Sequence, residues 1–161
     1  NFTSKTFGLV EEGRKINETM PFHTVDLLKD AFNEAHKSLH DSSVLILGAS
    51  YKPDVKDLQI SPVEKIVEIL KDNGIKISIY DPYYKNSEIF GITSSDNLIS
   101  SIEKSDAIII ATAHKEFHDL QPSFLKSKMQ TSIVIDSKCI IDQYEAKKAG
   151  LIYRGIGRGK I

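Results

Sequence analysis

Three lysines stand in loops that directly follow apolar, strand-like segments of the sequence. Lys52 and Lys56 belong to the loop at residues 48–57, and Lys138 comes after a second apolar segment. Ammonium groups and the free backbone N–H groups at the start of a helix both favour a phosphate or another anion. The lysines therefore predict an anion site, although their spacing fits ordinary solvated loop residues equally well.

The loop that carries Lys52 lacks the glycines that a dinucleotide requires. The stretch LGASYKPDVKDLQISP has only Gly48, whereas the dinucleotide fingerprint needs three glycines between a strand and a helix. The glycines at residues 155–159 have no helix after them, so they lack the context of a nucleotide loop. A self-contained NAD oxidoreductase is therefore disfavoured.

A metal site and a cysteine nucleophile are the other candidates for chemistry. His114 and His118 flank Glu116, but no third ligand is evident, and such histidines are usually solvent-exposed or hydrogen-bonded loop residues. Cys139 stands near a predicted helix start, yet no base or oxyanion site accompanies it. We therefore predict no metal ion and no catalytic residue in this sequence, and interpret Cys139 as a buried or half-buried small side chain.

Composition limits the class of protein and its partners. The 161 residues are 40% hydrophobic and 27% charged, which predicts one domain, with or without an appended element. The formal net charge of -1 and the scattered lysines argue against a nucleic-acid partner. The single cysteine predicts a reducing, cytoplasmic setting, and no apolar run predicts a membrane span or a signal segment.

The apolar pattern alternates between the periods of strands and helices along the chain. A helix is predicted over residues 9–39, with Pro21 kinking or dividing it. Ser61 and Pro62 predict the start of a second helix, and Asn73 with Gly74 predicts its left-handed end. The remaining predicted elements are strands at residues 44–47, 75–80, 107–111, 132–135 and 151–153, a weak edge strand near Ile92, and helices at 97–104, 122–128 and 142–149.

This alternation predicts an α/β fold of the Rossmann-like, doubly wound class, with a parallel sheet covered by helices on both faces. The long opening helix, with an apolar stripe that includes Val10, Ile16, Met20 and Leu27, has no strand partner. We expect it to pack outside the sheet or against another subunit. Ligands of such sheets bind beyond the carboxyl ends of the strands. The loops expected there are residues 48–57, 81–84, 112–117 and 136–139.

Several stretches resemble, in the same order, the C-terminal UDP-binding domain of the UDP-glucose/GDP-mannose dehydrogenase family. GASYKPDVKDLQISP is similar to the segment that opens that domain, YDPYY to its aspartate-proline turn, DAIIIATAHKEF to its fourth strand and VIDSKCIID to its fifth. RKINETMPFHTV resembles the family's long central helix. TAHKEF and the ending YRGIGRG look most like the UDP-N-acetyl-mannosamine dehydrogenases of the family. The resemblance implies a dimerisation-type helical segment at residues 1–40 and a UDP-sugar-binding domain at 41–161.

The resemblance implies an NAD-dependent enzyme that oxidises the C6 hydroxyl of a UDP-sugar to a carboxylate through a thioester on a catalytic cysteine. The family's glycine fingerprint and catalytic cysteine, lysine and asparagine have no counterpart in this sequence, and Cys139 matches another position. We therefore expect the substrate-binding part of the enzyme, inactive by itself. Its implied partners are a UDP-sugar, an N-terminal domain that binds NAD, and a second copy of the chain. A non-catalytic nucleotide-binding or assembly module with the same fold is the alternative.

The resemblance also implies individual contacts. Tyr51 and Lys52 match the family's aromatic-lysine pair, whose lysine contacts the UDP group. Lys138 stands where many members have an arginine that also contacts the UDP-sugar, and lysine lacks the bidentate fork of arginine. Gln59 replaces an arginine that reaches towards the cofactor, so its neutral amide brings no charge to that contact.

Overall fold

The computed structural model of the chain describes residues 6–158, which form seven strands and six helical segments. The strands are β1 (Ser43–Leu47), β2 (Lys76–Tyr80), β3 (Glu88–Ile89), β4 (Ile92–Thr93), β5 (Ala107–Ile110), β6 (Ile133–Asp136) and β7 (Ile152–Gly155). The helices are α1 (Thr6–Glu34), α2 (Pro62–Asp72), α3 (Leu98–Glu103), α4 (Pro122–Lys128) and α5 (Gln143–Lys148), with a 3₁₀ helix at Lys115–Asp119.

Five strands form one sheet in the order β2-β1-β5-β6-β7, and every pair in it is parallel. The predicted Rossmann-like, doubly wound α/β fold is confirmed. After β1 the chain moves to one side of the sheet to form β2, and all later strands of the sheet add on the other side of β1. The topological switch point, where ligands of such folds bind, therefore lies between β1 and β5.

Each face of the sheet has its own core, because the central strands point alternate side chains to opposite sides. Ile109 packs with Leu28 of α1 and Val67 of α2 on one face. Ile108 packs with Leu125 of α4 on the other face, together with α3, α5 and the 3₁₀ helix. The strand residues at the centre of both cores are fully buried, which explains why β1, β5 and β6 read as continuous apolar runs.

Helix α1 is continuous over 29 residues, with Pro21 inside it. Pro21 therefore does not divide the helix, and the alternative expectation that it kinks the helix stays a prediction. Proline removes one N–H donor, and the carbonyl of Asn17, which loses that donor, lies on an exposed part of the helix where water can solvate it. Across residues 6–158, no helix combines the length and the apolar character needed to cross a membrane.

The two halves of α1 have different surroundings. The second half packs on α2 and on the face of the sheet near β6 and β7. Its buried side chains are Val25, Leu28, Ala31 and Phe32. Of the predicted stripe, Val10 and Ile16 remain 72% and 57% exposed, whereas Met20 and Leu27 are half-buried. Glu34 anchors the end of α1 through an ion pair with Arg154 of β7. The helix thus belongs to the sheet's core at its end and faces solvent at its beginning.

The weak edge strand expected near Ile92 does not join the large sheet. It is β4, which pairs with β3 in a separate antiparallel hairpin. Phe90 and Gly91 form the two-residue turn with φ values of 50° and 73°, as a type I′ hairpin turn requires. The hairpin lies beside β2, where the Ser95 N–H donates to the carbonyl of Ile79 at 2.8 Å.

Candidate functional site

The loops that carry the predicted site residues meet at the carboxyl edge of the sheet. Tyr51 and Lys52 follow β1, and Lys138 follows β6. These two strands are not adjacent, because β5 lies between them. Two strand spacings place the starts of the two loops roughly 10 Å apart. The structure thus brings the predicted lysines to one edge and separates them by the width of one strand.

Lys52 and Lys138 are both exposed, and within residues 6–158 neither ammonium group has a carboxylate at ion-pair distance. The Lys52 ammonium lies 5.9 Å from the centre of the Tyr51 ring, at the outer limit of a cation–π contact. Lys56 differs, because its ammonium lies 5.1 Å from the centre of the Tyr84 ring. The charges of Lys52 and Lys138 are therefore open to an anion from solvent.

Gly48 allows the loop after β1 to approach the loop after β5 closely. Its φ is 82°, and a Cβ atom added to it would lie 2.5 Å from the Cβ of Thr112. Thr112 then donates its hydroxyl to the carbonyl of Ser50 at 2.6 Å. The Tyr51 N–H closes the loop by donating to the carbonyl of Asp57 at 2.8 Å. The single glycine therefore serves contact between two loops rather than contact with a pyrophosphate.

A buried carboxylate, Asp81, lies beneath this loop. Its Oδ2 accepts hydrogen bonds from the N–H groups of Ala49 at 2.8 Å and Ser50 at 3.2 Å, from the Ser50 hydroxyl at 3.1 Å, and from His114 at 3.1 Å. Its Oδ1 accepts from the Tyr83 N–H at 2.9 Å. Burial opposes ionisation, but the hydrogen bonds from His114, Ala49 and Tyr83 outweigh it and lower the pKa of Asp81 to about 2.

His114 is fully buried and uses both ring nitrogens. Nδ1 accepts a hydrogen bond from the Asp54 N–H at 2.9 Å, so the proton of the neutral ring is on Nε2, which donates to Asp81. The ring packs 5.4 Å from that of Tyr83 and edge-on to Phe117 at 5.5 Å. Of the two alternatives predicted for His114, a solvent-exposed ring is wrong and a hydrogen-bonded ring is confirmed.

The side chains that resembled a metal site do not converge. His118 and Glu116 are exposed, and Glu116 accepts a hydrogen bond from the Tyr80 hydroxyl at 2.7 Å. In the described part of the chain, no three His, Cys, Asp or Glu side chains are grouped as metal ligands. His114 is buried directly before the 3₁₀ helix, and His118 is exposed within it, so the two rings do not face a common ion.

A second buried carboxylate, Asp136, fixes the turn that carries Lys138. Its Oδ1 accepts from the Lys138 N–H at 3.0 Å, and its Oδ2 accepts from the Ile141 N–H at 2.9 Å. The Tyr153 hydroxyl lies 3.2 Å from the same Oδ2. Burial and the charge of Asp136 raise the pKa of Tyr153, which keeps the phenol protonated and able to donate.

Cys139 does not form part of a catalytic group in the described structure. It has a φ of 54° in the turn after β6, and its thiol lies 3.3 Å from the carbonyl of Ile156. The residue is partly buried, as the sequence predicts. Among the described residues, the hydrogen-bond partners of the thiol are the backbone carbonyls of Asp136 and Ile156, and the side chains nearby are the Tyr153 phenol and Arg158.

Gln59, the predicted cofactor position, is exposed at the end of the loop after β1. Its N–H donates to the side chain of Asp57 at 2.9 Å. The next residues start α2, where the Ser61 hydroxyl donates to the carbonyl of Ala49 at 2.7 Å and caps the Val63 N–H, as predicted. The Gln59 amide is open to solvent, and a role in cofactor binding stays a prediction.

The parallel sheet, its switch point and the two lysine-bearing loops define a Rossmann-like α/β domain whose ligand edge lies at the ends of β1, β5 and β6. Residues 45–143 match the UDP binding domain of the UDP-glucose/GDP-mannose dehydrogenase family. The chain belongs to this family, and the resemblance stated from its motifs is confirmed.

Individual relatives agree with the family. The chain is 35% identical to the UDP-N-acetyl-D-mannosamine dehydrogenase of Pyrococcus horikoshii over 155 residues, which are 96% of this chain and 35% of that protein. The solved structure of the UDP-D-ManNAc dehydrogenase of P. horikoshii superposes with a TM-score of 0.85 at 34% identity, over 99% of this chain and 36% of that one. The crystal structure of the NDP-N-acetyl-D-galactosaminuronic acid dehydrogenase of Methanosarcina mazei superposes with a TM-score of 0.84 at 29% identity. The match covers 90% of this chain and 30% of that one.

The chain therefore spans about a third of the length of these relatives.

Sequence reasoning missed one feature of the site, which is the buried link from Asp81 through His114 to Asp54. Asp81 and His114 each follow a strand that adjoins β1, so the predicted sheet order contained a signal for their proximity.

Proposed function

We propose that this chain is the UDP-sugar-binding part of an NAD-dependent dehydrogenase that oxidises the sugar C6 hydroxyl to a carboxylate, with UDP-N-acetyl-mannosamine as the substrate. The match of residues 45–143 to the family's UDP binding domain carries the proposal. The relatives named for N-acetyl-mannosamine support the choice of sugar. A non-catalytic nucleotide-binding module is the second candidate, since no residue of the sequence matches the family's catalytic cysteine, lysine or asparagine.

The proposed binding mode uses charge at the sheet edge. Lys52 and Lys138 present two ammonium groups on either side of the loop after β5, where an anionic diphosphate can lie between them. Tyr51 supplies an exposed ring beside Lys52. Because the turns that carry both lysines are fixed by the buried carboxylates Asp81 and Asp136, little backbone ordering is needed on binding.

The described residues are proposed to contribute little to NAD binding. Thr112 occupies the space beside Gly48 that a pyrophosphate would need, and the Gln59 side chain carries no charge. We propose that NAD is held mainly by the N-terminal domain that the family resemblance implies, with the UDP-sugar bound between the two domains. The single cysteine supports a cytoplasmic setting for the enzyme.

Residues 1–161 by themselves are expected to bind UDP and to reduce no NAD, because none of their residues matches the family's catalytic cysteine or its base. Absorbance of NADH with UDP-N-acetyl-mannosamine tests the activity, and calorimetry with UDP tests binding. The full-length protein containing this sequence serves as the positive control. NAD reduction by residues 1–161 alone would contradict the assignment, and a full-length protein that binds UDP without oxidising any UDP-sugar would favour the non-catalytic module.

We further propose that two copies of the chain pair through the first half of α1, where Val10 and Ile16 are exposed. Ile16→Asp is expected to weaken the dimer, because it puts a charge into an apolar contact. Asn17→Asp adds the same charge to the neighbouring exposed position and serves as the control. Sedimentation equilibrium measures both variants, and an unaltered chain that stays monomeric at high concentration would contradict the pairing.

A further inference from the structure

The loop after β1 is joined to the loop after β5 at the topological switch point by three hydrogen bonds. The Thr112 hydroxyl donates to the carbonyl of Ser50 at 2.6 Å. The Asp54 N–H donates to Nδ1 of His114 at 2.9 Å, and the Asp54 side chain accepts from the Lys115 N–H at 3.1 Å. Asp54 therefore contacts the loop after β5 through both its backbone and its side chain.

This junction is the main attachment of an otherwise exposed segment. Tyr51, Lys52, Val55 and Lys56 are all exposed, so the segment buries little apolar surface that could hold it in place. Asp54 has a φ of 58°, a left-handed conformation that aspartate adopts more readily than most residues other than glycine. Hydrogen bonds, rather than packing, therefore determine where Lys52 lies.

His114 is suited to hold this segment because its ring is itself immobilised. Nε2 donates to Asp81, and Tyr83 and Phe117 pack against the ring. The ring has no exposed surface, so its Nδ1 presents a fixed acceptor to the Asp54 N–H in a position that water does not reach. Asp81 fixes the tautomer of the ring, and the ring fixes the loop.

We propose that His114 is a positioning residue for the nucleotide, which acts through the Asp54 N–H on the loop that carries Tyr51 and Lys52, without touching the ligand. The inference rests on the proposed function. Loss of the Nδ1 acceptor leaves the loop to be ordered by the ligand, and this ordering cost lowers the affinity for UDP. The chemistry of oxidation is expected to stay unchanged, because the His114 ring has no exposed surface through which it could touch a substrate.

Two substitutions in the full-length enzyme separate the roles of the two ring nitrogens. His114→Asn keeps an acceptor at the position of Nδ1 and loses the donor to Asp81. His114→Gln keeps a donor at the position of Nε2 and loses the acceptor for the Asp54 N–H. His118→Gln, on the exposed histidine of the same turn, is the matched control.

His114→Gln is expected to raise the Kd for UDP and the KM for the UDP-sugar about fivefold to tenfold, with kcat and the KM for NAD unchanged. His114→Asn is expected to keep the Kd close to that of the unaltered enzyme despite a lower melting temperature, and His118→Gln is expected to change neither. Equal losses of affinity in the Asn and Gln variants would overturn the proposal, because a purely structural role predicts them. A folded Gln variant with unaltered affinity would also overturn it.

Hydrogen exchange keeps the proposal testable where the variants do not fold. In the unaltered enzyme, the Asp54 amide is expected to be protected and to gain protection when UDP is added. An Asp54 amide that exchanges as fast as a free peptide with UDP bound would overturn the inference. If the unaltered enzyme fails to bind UDP, the proposed function fails instead, so the two failures are distinguishable.

Discussion

Replacing Lys52 or Lys138 by alanine in the full-length enzyme is expected to weaken UDP binding about tenfold to a hundredfold. Each substitution removes one partner of a proposed charge-assisted hydrogen bond to the nucleotide, and such a loss costs roughly 1.5–3 kcal/mol where the bound nucleotide and the proposed N-terminal domain shield the site from water. Both side chains are exposed outside the two cores, so the fold is expected to stay intact. Titration calorimetry with UDP measures the effect.

Lys56→Ala is the matched control for these two variants. Lys56 lies in the same loop as Lys52, but its ammonium rests over the Tyr84 ring at 5.1 Å, and it matches no contact residue of the family. Its loss is expected to change affinity much less. If Lys56→Ala weakened binding as much as the other two, general attraction by positive charge would explain the site, and the assignment of Lys52 and Lys138 would be wrong.

Lys138→Arg is expected to retain binding, because arginine supplies the bidentate fork that many family members use.

Replacing Asp81 by asparagine is expected to lower the free energy of unfolding by about 1.5–3 kcal/mol at neutral pH, the cost of disrupting hydrogen bonds to a buried charged group. The carboxylate is fully buried and accepts five hydrogen bonds, from Ala49, from the N–H and hydroxyl of Ser50, from Tyr83 and from His114. An amide in its place turns one acceptor into a donor that faces other donors. Urea unfolding measures the loss. Asp96→Asn, at an exposed carboxylate, is the control and is expected to change stability by less than about 0.5 kcal/mol.

The difference in free energy of unfolding between the unaltered chain and Asp81→Asn is also expected to depend on pH. Folding lowers the pKa of Asp81 from 3.8 to about 2, so its ionised form stabilises the folded state above pH 4. That stabilisation, about 2 kcal/mol from a shift of this size, is lost as the pH falls through the folded-state value. The stability difference between the unaltered chain and Asp81→Asn is therefore expected to shrink between pH 4 and 2. A difference that stays constant over this range would contradict the ionised, hydrogen-bonded state of Asp81.

Local signals in the sequence were sufficient to predict the ends of helix α2 and the buried strands of the large sheet. Ser61 with Pro62 began α2, and Gly74, with a φ of 69°, ended it, because caps depend on residues within one turn. The apolar runs gave the buried strands of the large sheet, because strands covered on both faces need apolar side chains at every position. Pro21 does not divide α1, which was one of its two predicted effects, since the cost of a proline depends on whether the freed carbonyl is solvated, and the neighbouring residues do not reveal that.

The sequence by itself determined the alternation of strands and helices, the doubly wound fold and, through its motifs, the family. Only the tertiary structure decided that His114 joins Asp81 to Asp54, which lie 33 and 60 residues away from it along the chain. It also decided that Gly48 serves a close contact with Thr112. Caps and periodicity arise from neighbours in sequence, whereas buried hydrogen bonds depend on which strands become adjacent, and that adjacency exists only once the whole sheet has formed.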